Sequence, residues 1–588
     1  MLGGVSAEQL AGIVAESIGN SPVPQMADEG ARQRAVRVAR EQGLIDRIEA
    51  GLTEDEPIVA LPYSLFREFR RTGNRTHCER FFARRGPQID LAATAVWLGM
   101  GEKAAYLRDL LWAECEQSWW VMPAHETHRG RIDLRVAMLG YQYALLAKAL
   151  GEALGDEAVE RIVAEVRRRV LDVFFVTDPP NWWRIFPNNW NAVCHAGVVG
   201  AAMLIETDPP ALTKIIASAL TDLEYFIDGF TADGGCTEGP SYWRYGFSWY
   251  ARLAAGLYDF TGGRVNIMDD PRIEPICRYP LAMSVVPGRD LDFADVHRGY
   301  LSPATAVHIN RFVDVPELFG LCQLTDDGHL KVAALEDLML YRDDTFEPLD
   351  DPRDCHLPEL GVAKLRAAAT TVGAKGGNNA EHHNHNDVGS FVVHRGTTFF
   401  LTDPGAPVYS ARTFSERRYE SVFCNSFGHS VPVINGRGQP EGERYAGTLE
   451  VDGLNADAAK ALRIEMAGAY DVPALKGLTR QIELPAGGGE VVLADSFSFS
   501  ARPESLEEVF ITISPAEVAA DGQSVTIRSE ADGAAELRAV DTDGTFAAVE
   551  LAEESAAEGR AGELLRRITF TPAALAEQMT LRFALRLP

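Results

Sequence analysis

The chain has 588 residues, too many for one hydrophobic core, because cores stop growing at roughly 250–300 residues and longer chains divide. With 46% hydrophobic and 24% charged residues it has the composition of a folded globular protein and not of a disordered one. A net charge of −28, from 84 acidic and 56 basic residues, argues against nucleic acid or an anionic membrane surface as partner.

The opening MLGGVSAEQLAGIVAESIGN has neither a basic start nor a continuous apolar run, and no stretch of about 18 apolar residues follows anywhere. The expectation is a cytoplasmic protein, or a periplasmic or secreted one if a leader was removed. The 8 cysteines are scattered singly without a C-x-x-C pair, against a disulfide framework or a thiolate zinc site and in keeping with a reducing compartment.

From about residue 30 to 345 apolar residues recur at helical spacing. In DEAVERIVAEVRRRVLDVFF, Val159, Ile162, Val163, Val166, Val170 and Phe174 fall three or four apart, with Asp156 placed to cap the start. Similar stripes run through 131–150, 191–206, 208–230, 242–260 and 331–341, a pattern that predicts an array of antiparallel helices over residues 1–350. After an acidic, proline-containing stretch near 345–358 the pattern becomes short alternating or β-branched runs. These are LRAAATTVGA, SFVVHRGTTFFLTD, RQIELPAGGGEVVLADSFSFS, EVFITIS, QSVTIRS, LRRITFT and MTLRFALRL. Residues 351–588 are therefore expected to form an antiparallel β-domain of layered sheets joined by tight turns.

Within the helical half, PNNWNAVCHAG puts Asn188, Asn191 and His195 on one helix face, with Asn189 and Trp190 at the helix mouth. Fifty residues on, DGGCTEGPSYWRYG is a glycine-rich turn opening a helix that carries Glu238, Tyr242, Trp243, Arg244 and Tyr245. In the second half HHNHND, His382 to Asp387, directly precedes an apolar strand. On an extended segment His383, His385 and Asp387 share one side. Asp403 in TTFFLTDPG and His429 in NSFGHSVPVING end or precede further strands. Imidazoles and a carboxylate delivered by neighbouring strand ends suit Zn²⁺ or Mn²⁺. Metallo-hydrolases that use H-x-H-x-D carry a further His after the Asp, where this chain has Val388.

Around these residues the sequence resembles the heparinase II/III-like polysaccharide lyases. The matching stretches are LPYSLFREFRRTGNR, WWVMPAH, NNWNAVCHAG, EGPSYWRYG, LGVAKLRA, HHNHNDVGSFVVHRG, FFLTDPG and NSFGHSVPVINGRGQ, in family order from about residue 60 to 440. The resemblance implies an α+β multidomain chain, an N-terminal (α/α) toroid followed by a C-terminal antiparallel β-sandwich-type domain. It implies β-elimination on uronic-acid-containing glycans, with Asn191 or Asn189 neutralising the uronate carboxylate and Tyr245 and His383 as further catalytic residues. His385, Asp403 and His429 would hold one structural divalent ion, Zn²⁺ or Mn²⁺. His125, Trp190, Tyr242, Trp243 and Arg244 would line the substrate.

Elimination removes the C5 proton, α to a carboxylate, so donors must stabilise the enolate-like species while a base and an acid act on C5 and O4. Tyrosine titrates near 10, so Tyr245 is a base only if cations such as Arg244 lower that value, and otherwise an acid. The acidic chain suggests short or lightly charged oligosaccharides over long sulfated ones. Two other readings remain open at this point. One is a glycoside hydrolase on an (α/α) toroid with Asp233 and Glu238 as its carboxylate pair. The other is a metal-stabilised protein that binds carbohydrate without cleaving it.

Overall fold

The computed structural model describes residues 2–128, 132–175, 181–350, 353–560 and 562–588. Arg131, at the head of one predicted helical stripe, and Asp351, at the predicted domain boundary, lie outside the described residues.

The chain forms two compact units. The first comprises Met1–Phe230, Tyr242–Cys277 and Tyr300–Leu349, and the second Thr231–Ser241, Arg278–Gly299 and Asp350–Pro588. Two stretches of the helical half, 231–241 and 278–299, thus belong to the second unit, which no change of hydrophobic period marks.

The first unit is helical. Leu134–Ala149, Asn189–Ile205, Pro209–Asp228 and Pro240–Phe260 follow the predicted stripes closely. The helix Asn189–Ile205 is buried along nearly its whole length and packs on Leu134–Ala149 on one side and Pro209–Asp228 on the other. Gly197 permits the first of these approaches, since a Cβ there would lie 2.4 Å from the Ala137 carbonyl oxygen. Two details differ from expectation. Asp156 is the first residue of its helix and Gly155, at φ 80°, precedes it as N-cap, so the carboxylate faces the positive end of the helix dipole instead of capping it. The stripe 331–341 yields only the short helix Leu335–Met339.

The second unit is built of antiparallel strands. One sheet runs Cys355–Leu357, Val362–Ala367, Thr370–Lys375, Phe391–Arg395 and Thr398–Leu401. A longer one has Leu475–Leu484 and Glu490–Phe499 near its centre, paired from Leu475–Phe499 to Glu483–Val492, with Gln578–Arg586 alongside. A third joins Gly544–Glu550, Arg566–Pro572, Leu506–Thr512 and Val433–Ile434. One continuous core of Leu365, Val372, Phe391, Val393, Ile464, Leu478, Phe510 and Phe583 joins residues of all three sheets, so they are layers over shared apolar side chains. The stretch 278–299 is fixed to this core: Lys364 Nζ donates to the Leu281 carbonyl at 3.0 Å, and the bare Gly373 leaves room for Leu291. The expected α+β architecture, helices followed by antiparallel sheets, is what the chain adopts. No helix among the described residues is long and apolar enough to cross a membrane.

His394, in Phe391–Arg395, is buried with its ring 4.8 Å from Phe399. Burial, aided by the nearby Arg289 and Arg366 charges, pushes its imidazole down to about 4 from 6.5. The folded state therefore binds fewer protons than the unfolded one between these values. The stability contributed is complete above about 6.5 and is lost as pH falls towards 4. Denaturant titrations at pH 7 and 5 should show wild type losing about 2 kcal/mol more than His394→Phe over that interval. Equal losses in both proteins would refute the assignment.

Candidate functional site

Three loops of the second unit bring a set of ionisable groups to one place. The segment HHNHND is a turn and not the expected extended run, for His383 has φ 58° and the strand begins only at Phe391. Alternation therefore does not order these side chains. A left-handed conformation at a non-glycine residue is strained and persists where its surroundings hold it. What holds it is Asp295, whose Oδ2 lies 2.8 Å from His383 Nδ1. The other oxygen, Oδ1, lies 3.0 Å from His385 Nε2 and takes a 2.7 Å bond from Arg418 Nη2. Tyr409 donates its hydroxyl to Oδ2 at 3.0 Å.

Burial alone would raise the Asp295 carboxyl, but hydrogen bonds from His383 and His385 and the Arg418 charge outweigh it and hold the group well below its usual range. Since an ionised carboxylate only accepts, His383 Nδ1 carries the hydrogen of that bond, and Nε2 lies 3.5 Å from Glu238 Oε1. The His383 side chain is 17% exposed, whereas Asp295 and His385 are fully buried, so of the three it is the imidazole that solvent or a ligand can reach.

Behind His383 lies a second group. One ligand-competent atom from each of His385, Asp387, Asp403 and His429 falls within 4.8 Å of the others. Four buried atoms here have no hydrogen-bond partner: His385 Nδ1, Asp387 Oδ2, Asp403 Oδ1 and His429 Nε2. Their opposite ends are all engaged, His385 Nε2 by Asp295, Asp387 Oδ1 by Lys375 Nζ at 2.6 Å, and His429 Nδ1 by Asp403 Oδ2 at 2.8 Å. His385 Nδ1 stands 3.8 Å from Asp403 Oδ1, beyond hydrogen-bond reach. Two imidazoles and two carboxylates, each oriented by its far end with a lone pair left over, suit a divalent ion of the zinc or manganese kind. The electrostatics agree. Burial would lower the His385 imidazole, yet Asp295 and Asp403 push it well up, which shows how negative the field of these carboxylates is at this point.

The surrounding backbone explains why the loops meet. Gly389, at φ 94°, returns the chain to the sheet, and a Cβ there would lie 2.3 Å from Met466 Sδ. Arg480, fully buried in Leu475–Leu484, pairs with Asp495 and Glu508 and donates Nη1 to the Gly389 carbonyl at 2.8 Å and to the Ser430 carbonyl at 2.5 Å. Those carbonyls adjoin the segments that carry His385 and His429.

The first unit places the remaining candidates. Asn188 is the N-cap of Asn189–Ile205, accepting from Trp190 N at 3.1 Å. Asn191 is wholly buried and donates Nδ2 to the Arg184 and Asp222 carbonyls, both at 2.9 Å, while its Oδ1 lies 3.1 Å from His195 Nδ1. With both amide hydrogens used to clamp helices together, Asn191 has none to offer a substrate, a correction to its expected role. Asn189 instead packs against Gly246, where a Cβ would lie 3.0 Å from its own, and so stands beside the turn that carries Tyr245.

Tyr245 is half-buried, its hydroxyl 3.2 Å from Met138 Sδ. Burial pushes the phenol well up, with Cys194 and Asp133 adding to the rise, which of the two roles left open by the sequence favours the acid. Trp243 is fully buried, donating to the Ile276 carbonyl at 2.8 Å and stacking on Phe247, so it is a core residue and not a sugar platform. Tyr242 and Arg244 are half-buried on the same helix. His125 and Trp190 do come together, ring centroids 4.6 Å apart, with His125 Nδ1 2.9 Å from Asp133 Oδ2. Trp182 and Phe186 extend that surface, Trp182 5.1 Å from Trp190.

Of the glycosidase pair, Asp233 is consumed in a turn, accepting from Thr231 Oγ1 at 2.5 Å and from Glu359 N at 2.9 Å. Sequence reasoning missed Asp295, Tyr409 and Arg418. Asp295 lies in LDFADVHRG, which offers no signal, and Asp387 was visible in the motif but not among the expected ligands.

Residues 350–575 match the family model described as heparinase II/III-like, C-terminal, so the resemblance seen in the sequence holds for that region. No curated protein matches the chain. Among solved structures, heparinase III is similar with a TM-score of 0.61 and 13% identity, over 86% of this chain and 76% of that one. A mutant of the heparan sulfate lyase HepC from Pedobacter heparinus gives 0.58 and 12%, over 99% and 88%. Chondroitin AC lyase of Streptomyces coelicolor A3 in complex with chondroitin sulphate gives 0.52 and 13%, over 99% and 82%. At these identities the likeness carries the fold.

Arg480→Ala would strand two buried carboxylates and release the two carbonyls. Its unfolding free energy should fall by about 3–5 kcal/mol in denaturant titration, as for other broken buried ion pairs. A change under about 1 kcal/mol would show that the network is dispensable.

Proposed function

We propose that the chain is a polysaccharide lyase that cleaves uronic-acid-containing glycans by β-elimination, leaving a 4,5-unsaturated uronate. The observation that carries this reading is the reachable His383 imidazole, with Nδ1 held 2.8 Å from Asp295 Oδ2 and Nε2 3.5 Å from Glu238 Oε1. Such a group is suited to take the C5 proton. Asp295 is a positioning residue, and Tyr409 and Arg418 fix it in turn.

Removing the C5 proton places further charge on the uronate carboxyl, and in this reading the Asn189 amide supplies the stabilising donor. Tyr245, with its phenol pushed up by burial, is suited to give its proton to the leaving O4 and not to act as base. His125 and Trp190, with Trp182, offer an aromatic surface to sugar rings. The heparinase II/III-like match over residues 350–575 supports a lyase, as do fold neighbours named as lyases of heparan sulfate and chondroitin. The net charge of −28 favours short or lightly charged substrates over long sulfated chains.

His385, Asp403 and His429 would hold one divalent ion, with Asp387 as a fourth ligand, and the ion would supply positive charge that fixes the loop bearing His383. Extensively dialysed protein should contain about one zinc or manganese per chain, and chelation should lower its thermal unfolding temperature. Asp403→Asn should lose the metal. Metal-free protein of unchanged stability would refute the site.

Turnover is read as growth of ultraviolet absorbance on a panel of uronate oligosaccharides and polymers, with products sized by mass spectrometry. Tyr245→Phe keeps the ring and His383→Ala removes the imidazole, and each should reduce the rate by on the order of 10² or more while the protein stays folded. Asn189→Ala should depress turnover in the same assay. Reducing sugar without a new double bond would favour a hydrolase, and glycan binding without products would favour a binding protein.

A further inference from the structure

The strands Gly544–Glu550 and Arg566–Pro572 are antiparallel neighbours, paired from Gly544 with Pro572 to Glu550 with Arg566. A turn of about two to five residues can close such a pair, yet here the connection runs from 551 to 565 and carries the short helix Ala552–Ala557. What the extra length reaches is the stretch 406–421, which holds Tyr409 and Arg418.

Three consecutive residues after the helix make the contact. Glu558, 4% exposed, accepts from Val408 N on Oε2 at 2.8 Å and from Ser421 Oγ on Oε1 at 2.6 Å, and Oε1 also takes the Arg412 guanidinium. Gly559 has φ 68°, and a Cβ there would lie 3.2 Å from Val408 Cγ2, so glycine lets the turn rest against the loop. Arg560 donates Nη2 to the Ala406 carbonyl at 3.2 Å. One buried carboxylate thus ties both feet of the loop between Val408 and Ser421, which restricts the backbone of everything between them.

The loop's contents give the tie its meaning. Tyr409 directly follows one foot and Arg418 stands three residues before the other. Their hydroxyl and guanidinium are the donors that this loop sends to Asp295, at 3.0 and 2.7 Å. Asp295 in turn stands 2.8 Å from His383 Nδ1. Every member of this series is buried or half-buried, where water competes poorly for hydrogen bonds.

We infer that Glu558 is a positioning residue for the reaction at His383. It sets the place of Tyr409 and Arg418, they set Asp295, and Asp295 sets the imidazole. This rests on the reading of His383 as the group that takes the C5 proton. Because Glu558 acts through the loop, its loss should slow the step that needs His383 in place and leave substrate capture nearly intact.

Glu558→Ala frees both feet of the loop, and Glu558→Gln, with one acceptor oxygen in place of two, frees one. In the ultraviolet assay kcat should fall by about tenfold or more in the first and by less in the second, with KM within about threefold of wild type. Hydrogen exchange read by mass spectrometry should quicken across 408–421 in Glu558→Ala and stay as it was in the strand Leu475–Leu484. Lys460→Met, which breaks the buried pair with Asp354 elsewhere in the unit, is the control for stability alone, and should unfold at a lower temperature with the kcat of wild type. If Glu558→Ala does not fold, Ser421→Ala removes a single bond and carries the same two readouts. An unchanged kcat in the freed loop, unchanged exchange over 408–421, or an equal fall of kcat in Lys460→Met would overturn the inference. A wild type that forms no unsaturated product would sink the lyase reading, and exchange over 408–421 would then decide by itself whether Glu558 holds the loop.

Discussion

A guanidinium with no access to water organises the second unit. Arg480 is fully buried, and a lone cation there would be prohibitively costly, so it exists only with Asp495 and Glu508 against it. Two carboxylates do not exhaust its hydrogens. The remaining donor goes to the Gly389 and Ser430 carbonyls, which belong to different loops. One cation in the sheet core thereby fixes the spacing of the loops that deliver His385, Asp387 and His429. Packing alone would leave such loops free to shift, since loops carry few apolar contacts of their own.

From that anchor the order passes outward through Asp295. Its two oxygens divide the work: one serves the buried His385 and Arg418, the other the reachable His383 and Tyr409. Any cation bound by His385 is therefore one carboxylate removed from His383. The arrangement also accounts for the left-handed backbone at His383, for a strained turn is tolerated where its side chain is pinned. The donors on the solvent side of this carboxylate and the lone pairs on its inner side belong to one connected set, so a change at either end alters the other.

Much of this was legible beforehand, and the misses have definite causes. Strands that bury one face, such as Glu490–Phe499 and Gln578–Arg586, alternate cleanly and were readable. Gly442–Asp452 and Gly533–Ala539 were not, because their half-exposed faces mix charges and glycines with apolar residues and blur the period. His385, Asp403 and His429 could be singled out because ligand-type residues at strand ends are conspicuous, and the fold brings them together. Asp295 was invisible because its role depends on a contact 88 residues away with His383, which no local pattern encodes. Asn191 and Trp243 show the opposite error. A polar or aromatic residue in a suggestive motif can be spent on holding helices together, and only its hydrogen-bond partners reveal that.

The interleaving of the two units along the chain bears on how the protein is made. Asp295 and Glu238 emerge from the ribosome within the helical stretch, whereas His383, His385 and the whole antiparallel core lie more than fifty residues further on. Domains commonly fold in order as they are synthesised. Here the segments 231–241 and 278–299 must stay unsatisfied while the helices around them settle, holding a buried-to-be carboxylate in water until its partners arrive. The helical unit can thus collapse early, but the chain cannot finish in two independent instalments. Its loose ends are held over until the last strands close, so the burial of 231–241 and 278–299 waits on residues made after 350.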